Sequence, residues 1–484
     1  MDTIFFNTSS STIEMRIFSM QCLVEITRCY YDYLEDQMAT ILEKTLLHME
    51  NDDEKVGIQA YELWCSLSDE ENARIKEKEQ KISDVNVFNF SQIAYPNLLK
   101  MIIFHLLNRK KVEGDEWNIT KAAASLISNL SQCCLYEFIE QVVLFVGERL
   151  NDPDPKIRDS CILAFTSLLE SRYRENIREM ILNAFDSLLA MMNDTSKEVR
   201  ESTAWCIEKI CEFHSVILVK DQVKFGKLFT TILNNLNRGK KAGVHLCNSL
   251  HFIAKSVRVD DNKTSKYYLN LDCLSNYLND TLSVLLNIAL DQNSYDTENN
   301  LALAAFFAIG SLLENSAMDT KKSVEDFFSV ILSAFDKTLQ NGAFSSNEVR
   351  NDYQNYLASI IEASLVSEKI HLDFNQGKIV LNMIISSFKL RDCVYEEGLL
   401  AASSISLGMV YFKKGMNELF TELVKDFGQY LTYALQRPNE VSLCRIAVHS
   451  TSDLIRAIGT NFSIYMDQIL PLIFNILRVY FLFY

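Results

Sequence analysis

The sequence predicts an all-α protein, a right-handed solenoid (superhelix) built from about ten stacked helix pairs. Three observations support this fold class. The 484 residues include only 14 glycines and 5 prolines, well below the average usage of about 7% and 5%, so the residues that form most turns are scarce. Apolar residues recur at the three- and four-residue spacing of amphipathic helices. A short polar motif also repeats about every 40 residues, as it does in arrays of helix pairs.

The repeated motif is clearest at two places in the chain. Residues 151–160 read NDPDPKIRDS, residues 193–202 read NDTSKEVRES, and a shorter copy begins at Asn347. The acidic and amide side chains can cap the free N–H groups of the helix that follows. We expect Arg158 and Arg200 to reach an aspartate of the same or the next repeat, which would form a ladder between repeats. This period is typical of HEAT and armadillo arrays, in which neighbouring pairs bury each other's apolar faces.

The helix pairs can be placed along the chain. First helices are predicted to begin near residues 10, 53, 117, 154, 196, 239, 297, 347, 392 and 439. Second helices are predicted at 34–49, 90–108, 135–151, 174–193, 221–237, 269–291, 321–340, 373–389, 416–436 and 464–480.

We expect a single solenoid over residues 1–484, with charged insertions near 69–88, 108–117 and 257–268. The first insertion is predicted to hold an extra short helix, at residues 69–81. Apolar segments at both ends lead us to expect that both ends are truncated, because a solenoid needs polar capping repeats. Self-association that covers these ends is the alternative.

The charge of the chain restricts its partners. The formal net charge is −16 and the pI is near 5.0, whereas a nucleic-acid binder normally has a basic face. We therefore expect no nucleic acid, and we expect cationic protein partners to be attracted over about 8 Å at physiological salt. The 12 cysteines lack regular spacing, which favours reduced core thiols in the cytoplasm or nucleus over a disulfide scaffold. No apolar stretch reaches the ~20 residues of a membrane span, so we expect no membrane insertion.

The sequence contains no recognisable catalytic motif. It has no Gly-rich phosphate loop and no His-Glu-x-x-His helix, two patterns that carry enzyme chemistry. The nearest pattern to a metal site is Cys247 with His251, one helical turn apart. Because His245 points roughly opposite to Cys247 and no fourth ligand lies nearby, this pattern is more typical of core and groove residues. We expect no enzyme, no cofactor and no metal, with a metal-dependent enzyme at this pair as one alternative.

Three segments go beyond a generic repeat. Residues 61–71 read YELWCSLSDEE, residues 113–123 read EGDEWNITKAA, and the RDS of residues 158–160 is followed by ESTAW at 201–205. In this order and spacing they resemble the middle of the importin-β (karyopherin-β) family of nuclear import receptors, most clearly over residues 10–215. The resemblance implies a HEAT solenoid that carries cargo through the nuclear pore and shuttles between cytoplasm and nucleus.

The resemblance also implies an acidic loop that contacts the basic importin-β-binding helix of importin-α and the small GTPase Ran. The acidic positions fall here on Glu113, Asp115 and Glu116, in a much shorter run than the family's. A solvated turn that caps the helix beginning near Trp117 is the alternative interpretation.

Tryptophans on the inner helices of the family hold the aliphatic stems of Arg and Lys side chains, a use that suits cation–π contact. Trp117 and Trp205 match two such positions, and a third falls on Asn248, which is not aromatic. A core position for Trp205 remains an alternative, and Trp64 is more typical of the core.

The family further binds Phe-Gly repeats of nucleoporins in apolar slots between neighbouring first helices on the convex side. By position, slots between the first three repeats are candidates. An alternative from another class is a HEAT-repeat scaffold without a role in transport, such as a phosphatase scaffold-like subunit that organises a protein complex.

Overall fold

The computed structural model describes residues 1–108, 117–257, 274–295, 300–340, 344, 346–366, 369–370, 376, 379–380, 383, 386, 424–425, 428–429, 431–437 and 439–482. Every statement below concerns these residues. They form α-helices with a few short 3-10 turns, and no β-strand is present among them. The predicted first helix near residue 392 and most of the predicted second helices at 373–389 and 416–436 lie outside the described residues.

The chain divides into two compact units, Met1–Leu218 and Val219–Tyr484. The first unit begins with a short helix, α1 (Asp2–Asn7), after which helix pairs follow in order. Its further helices are α2 (Ile13–Cys29), α3 (Met38–Asn51), α4 (Glu54–Glu79), α5 (Phe90–Leu107), α6 (Ile119–Cys133), α7 (Tyr136–Arg149), α8 (Pro155–Leu168), α9 (Arg174–Met191) and α10 (Lys197–Lys220).

The second unit continues the same alternation of first and second helices. Its helices are α11 (Gln222–Asn235), α12 (Lys240–Val257), α13 (Leu278–Leu290), α14 (Leu301–Glu314), α15 (Lys321–Thr338), α16 (Asn347–Val366), α17 (Val441–Ile458) and α18 (Met466–Leu482). Most of the described helices begin and end within about four residues of the predicted positions, whereas α13, predicted at 269–291, begins only at Leu278. The all-α array of helix pairs is therefore confirmed.

Side-chain caps begin the first helices as the repeated motif indicated. The carboxylates of Asp53 and Asp154 accept from the backbone N–H groups of Lys55 and Lys156, at 3.0 and 2.9 Å. Asn118 caps α6 in the same manner through the N–H of Lys121. These caps satisfy donors that have no partner within the helix, so each repeat fixes the start of its first helix locally.

The predicted arginine ladder joins consecutive repeats. Arg158 of α8 donates from Nε and Nη2 to the carboxylate of Asp194, at 2.8 and 2.7 Å, just before α10 begins. Arg200 donates to the backbone carbonyl of the same aspartate at 2.7 Å. Arg16 and Asp52 form the equivalent pair earlier in the unit, at 2.6 Å. Planar guanidinium–carboxylate pairing of this kind fixes geometry as well as charge.

The two layers of helices are not equally spaced. First helices pack directly against first helices along α2, α4, α6 and α8 in the first unit and along α12, α14 and α16 in the second. The second helices approach one another less closely, as α3 with α5 or α13 with α15. Because a curved stack is tighter on its concave side, we assign the first helices to the inner side within each unit.

The charged insertion at 69–88 differs from the prediction. No separate short helix forms at 69–81, because α4 continues without a break to Glu79. Glu71 is buried within this extension and accepts hydrogen bonds from the hydroxyl of Tyr31 and the N–H of Phe90, at 2.9 and 2.5 Å. A buried carboxylate with several donors is tolerated, so the charged run prolongs the helix.

One further property concerns hydropathy. Within the described ranges, no single helix is long and apolar enough to cross a membrane. The bent pair Leu301–Glu314 and Met318–Thr338 passes the test of length and composition together, with an angle of 111° between its helices.

Candidate functional site

The uncovered side of the first helices is the candidate site. The helices α4, α6 and α14 each touch the first helix before them, the first helix after them and a second helix behind them, which leaves one side of each helix free. We call this side the open face. Because the first helices form the inner layer, the outward side of each unit is formed by second helices. The expected convex-side slots would therefore lie between second helices, which corrects the placement between first helices.

Trp205 lies on the open face of α10. Its side chain is partly exposed, between buried Ala204 and Cys206. Partly exposed glutamates follow the helical spacing of this face, four residues before Trp205 and three and seven residues after it. Residues three, four and seven apart share a helix face. These glutamates are Glu201, Glu208 and Glu212.

Two lysines contact this acidic face from within α10. Lys197 lies 3.4 Å from a carboxylate oxygen of Glu201, and Lys209 lies 2.8 Å from one of Glu212. The Lys209 ammonium also lies 3.6 Å from Glu170, beyond the end of α8. Three glutamates and two lysines of α10 thus lie on or beside this face, and an aromatic ring with carboxylates beside it suits the stem and head of an Arg or Lys side chain.

Trp117 lies two residues before α6 begins, close to the predicted start of that helix. Its side chain is 59% exposed, although the backbone on its carboxyl side is firmly held. Asn118 caps the helix, and the Glu54 carboxylate of α4 accepts from the N–H of Ile119 at 3.1 Å. A large ring thus projects from an anchored helix start. The predicted acidic positions Glu113, Asp115 and Glu116 lie outside the described residues.

The open face of α4 is also acidic. Glu62 and Asp69 are exposed and lie seven residues apart, on one side of the helix. Asn129 of α6 donates to the Asp69 carboxylate at 2.8 Å and to the carbonyl of Cys65 at 3.1 Å. Burial raises the pKa of Asp69 from its ordinary value. Asp69 is thus part of a link between neighbouring first helices, and Glu62 is the more accessible charge.

Asn248, the third predicted cradle position, lies on the open face of α12 in the second unit. Its side chain is partly exposed, and so is that of Phe252 one turn later. The neighbouring His251 makes a 2.6 Å hydrogen bond to Ser311 of α14. The structure therefore places a polar amide at the position where the resemblance implies a tryptophan.

Trp64 belongs to the core, as predicted. It is fully buried, and its indole N–H donates to the hydroxyl of Thr45 at 2.9 Å. The buried ring fills the space between α4 and α3 and satisfies its polar atom there.

The residues of the considered metal site serve packing. Cys247 is fully buried, and burial raises the pKa of its thiol, which opposes the thiolate form that binds metals. The ring of His251 forms a hydrogen bond with the hydroxyl of Ser311. In the part of the chain that the structure describes, no three His, Cys, Asp or Glu side chains are grouped so that they could hold a metal ion.

Sequence reasoning missed the glutamates around Trp205. The signal was present, because Glu201, Glu208 and Glu212 follow the helical spacing about that residue. It could not be separated from an ordinary solvated helix face until the buried side of α10 was known.

Two family models match the chain. The model described as importin subunit beta-1-like, TPR repeats, matches residues 227–481, which is more than half of the chain. A HEAT-like repeat model matches residues 155–210.

Curated relatives agree with these matches. Importin subunit beta-1 of Arabidopsis thaliana is 25% identical over 96% of this chain and 53% of its own length. The Schizosaccharomyces pombe importin subunit beta-1 is 24% identical over 95% of this chain and 53% of its own length. The chain spans about half the length of the curated relatives it matches.

Solved structures show the same fold. Yeast importin-beta (Kap95p) superposes with a TM-score of 0.85 at 18% identity, over 99% of this chain and 54% of that one. A Kap95:Nup1 complex gives a TM-score of 0.83 at 19% identity, over 98% and 54%. Kap95p with RanGDP gives 0.77 at 19% identity, over 99% and 55%. The helix pairs have the geometry of HEAT repeats, and the importin subunit beta-1-like model matches most of the second unit. The chain therefore belongs to the importin subunit beta-1-like family.

Proposed function

We propose that the chain is a nuclear transport receptor of the importin-β type. It binds the basic importin-β-binding helix of an importin-α adaptor, or a basic cargo directly, and carries it through the nuclear pore. Phe-Gly nucleoporins provide contact with the pore, and the GTPase Ran controls release. Such a receptor shuttles between cytoplasm and nucleus. The observation that best supports the proposal is the open face of α10, where a partly exposed Trp205 lies among three glutamates.

The physical basis of binding is a combination of rings and carboxylates. Trp205 and Trp117 offer π-faces for the stems of Lys and Arg side chains, each worth about 0.5–2 kcal/mol according to desolvation. The glutamates of α10 and Glu62 of α4 attract the cationic heads. Affinity accumulates from many modest contacts, so binding should weaken steadily as salt rises. The net charge of −16 also speeds encounter with a basic partner.

The outward side of the first unit supports the nucleoporin part of the proposal. Leu47 of α3, Phe104 of α5 and Leu144 of α7 are exposed by 49%, 43% and 64%. They lie on successive second helices, so apolar Phe side chains could lodge between them. Ran contact would use the acidic positions Glu113, Asp115 and Glu116, and Kap95p, whose fold is similar, has been solved with RanGDP.

The test is a salt titration of binding to a fluorescent, Arg/Lys-rich helical peptide of the importin-α type, measured by anisotropy. The wild type is compared with the double variant W117A plus W205A, and with F104A as a control for an exposed aromatic ring on a second helix. We expect salt-sensitive binding that is about 10-fold or more weaker in the double variant and unchanged in F104A.

Absence of binding at low salt, with the protein helical by circular dichroism, would contradict the proposal for this chain. If the folded protein then bound neither the basic helix nor Phe-Gly peptides but did bind a folded enzyme subunit, a scaffold of the phosphatase type would be favoured instead.

A further inference from the structure

An exposed phenylalanine lies on the open face of α14. Phe307 is 61% exposed, whereas its neighbour Phe306 is 4% exposed. The rest of the helix is almost completely covered, because α12 and α16 flank it and α13 packs behind it. Phe307 therefore points to the side of α14 that no other described helix occupies. Most of its ring is left out of the packing among the described residues.

Three features follow one another along this face. Gly310 and Glu314 come three and seven residues after Phe307 and share its side of the helix. A Cβ built on Gly310 would meet no atom within 4 Å, so the surface beside the ring is open. Glu314 is exposed, and no ion-pair partner for it exists among the described residues. The seven-residue spacing corresponds to about 10.5 Å along the helix.

The face of α14 is aligned with Asn248. The hydrogen bond of 2.6 Å between His251 and Ser311 holds α12 and α14 in register. Asn248 lies three residues before His251, and Phe307 lies four residues before Ser311. Because first helices run in the same direction, Phe307 lies within about 1.5 Å of the level of Asn248 along the helix axis. The aromatic ring missing at position 248 of α12 is thus present at the same level on the next first helix.

We propose that Phe307, Gly310 and Glu314 form a seat for one Lys or Arg side chain of a cationic helical partner. This inference rests on the proposed function and extends it to a specific site. The aliphatic stem lies against the Phe307 ring and passes over Gly310, and the charged head reaches the Glu314 carboxylate. A ring followed by a gap and an unpaired carboxylate is complementary to a long cationic side chain and to no acidic one.

Lys255 of α12 gives the proposal an additional consequence. Lys255 is exposed and lies four residues after His251, and Glu314 lies three residues after Ser311. Lys255 and Glu314 therefore lie at nearly the same height along the helix axes. The Lys255 ammonium group opposes the arrival of another cation. Removal of this charge should therefore tighten binding of the partner.

The experiment measures the Kd of the same Arg/Lys-rich fluorescent peptide for the full chain at low salt. F307A should weaken binding about 3- to 10-fold and E314Q about 2- to 5-fold. G310L fills the gap and should weaken binding at least about 3-fold, although leucine favours helix over glycine. K255Q should tighten binding about 2-fold. The matched controls lie on second helices: F474A, whose side chain is 62% exposed, and D326N, an exposed carboxylate of α15.

The outcomes separate this seat from the proposed function as a whole. A peptide that binds the wild type but binds F307A, G310L and E314Q with unchanged affinity would overturn the seat and leave the proposed function standing. Loss of affinity in F474A equal to that in F307A would overturn it as well. A peptide that fails to bind the wild type would reject the proposed function, and the seat with it.

Discussion

Two contacts between consecutive repeats, one taken from each unit, hold the same geometry with different chemistry. In the first unit, Arg158 pairs with Asp194, and Arg16 pairs with Asp52, each across one repeat. In the second unit, the ring of Phe306 on α14 lies 5.9 and 5.3 Å from those of Tyr353 and Tyr356 on α16. The same helix-pair geometry is thus held once by charge-assisted hydrogen bonds and once by aromatic packing.

The difference shows that the repeat specifies a spacing and not a set of contacts. Directional ion pairs are fixed by a short motif, so they repeat visibly in the sequence. Aromatic packing depends on shape across two helices, so it leaves no motif. The open faces also differ. In the first unit Trp205 lies among glutamates, whereas in the second unit Phe307 is the exposed ring.

The largest effect is expected from adjacent phenylalanines in the second unit. F306A removes a buried ring that contacts α16, and should cost about 3–5 kcal/mol in the free energy of unfolding. F307A removes an exposed ring and should change stability by no more than about 0.5 kcal/mol. Hydrogen exchange of α14 and α16, with chemical unfolding, measures both. Equal losses would mean that the assignment of buried and exposed faces on α14 is wrong.

The ladder of the first unit provides the next test. D194A leaves the mostly buried Arg158 without its carboxylate, and we expect a loss of about 3 kcal/mol. E25A breaks the exposed pair with Arg28 and should cost about 0.5 kcal/mol or less. Chemical unfolding at low and high salt compares them. A D194A loss as small as that of E25A would show that the ladder contributes little to the array.

Two glycines of the second unit differ in the space around them. A Cβ on Gly243 would lie 2.6 Å from the carbonyl oxygen of Leu236 and 2.8 Å from the side chain of Leu301, so G243A should destabilise the second unit by about 1–3 kcal/mol. G310A meets no atom and should stabilise α14 by about 0.5–1 kcal/mol, because alanine favours helix over glycine. Thermal unfolding of both variants decides whether the signs are opposite, and two losses would contradict the prediction.

The smallest expected effect is a dependence of stability on pH. His214 is buried and hydrogen-bonded to the carbonyl of Leu169 at 2.8 Å. Burial is the main cause that lowers its pKa, with Arg178 and Arg174 contributing. The unfolded chain therefore binds more protons as the pH falls below about 6.5, and stability falls with it.

The variant H214Q removes this titration and retains an N–H donor for Leu169. Unfolding curves between pH 7.5 and pH 5.5, roughly one unit either side of the ordinary histidine value, should show a smaller fall in stability for H214Q than for the wild type. Parallel curves would contradict the predicted direction of the pKa shift.

Much of the fold could be predicted from the sequence because its signals are local. Asp154 caps the helix that follows it, Arg158 reaches the next repeat, and Trp64 is buried, as predicted. The continuation of α4 through a charged segment was not predictable, because Glu71 is held by donors from Tyr31 and Phe90, distant in the sequence.

The candidate site was predictable only in part. Trp205 and Trp117 were identified through a resemblance of motifs, and the structure leaves both of their rings accessible. Phe307 was not identified, because residues 301–313 are apolar almost throughout. Only the packing of α12 and α16 against α14 shows which of two adjacent phenylalanines faces solvent.

A cationic partner is proposed to bind the open face of the first helices, and the three tryptophans of the chain allow a direct test. Trp64 is fully buried, whereas Trp117 and Trp205 are accessible. Acrylamide, a neutral quencher, reports on their exposure with and without a tryptophan-free basic helical peptide at saturation. Bound peptide should protect the protein from quenching, and most of this protection should be lost in W117F plus W205F. Unchanged quenching with the peptide fully bound would mean that it binds elsewhere.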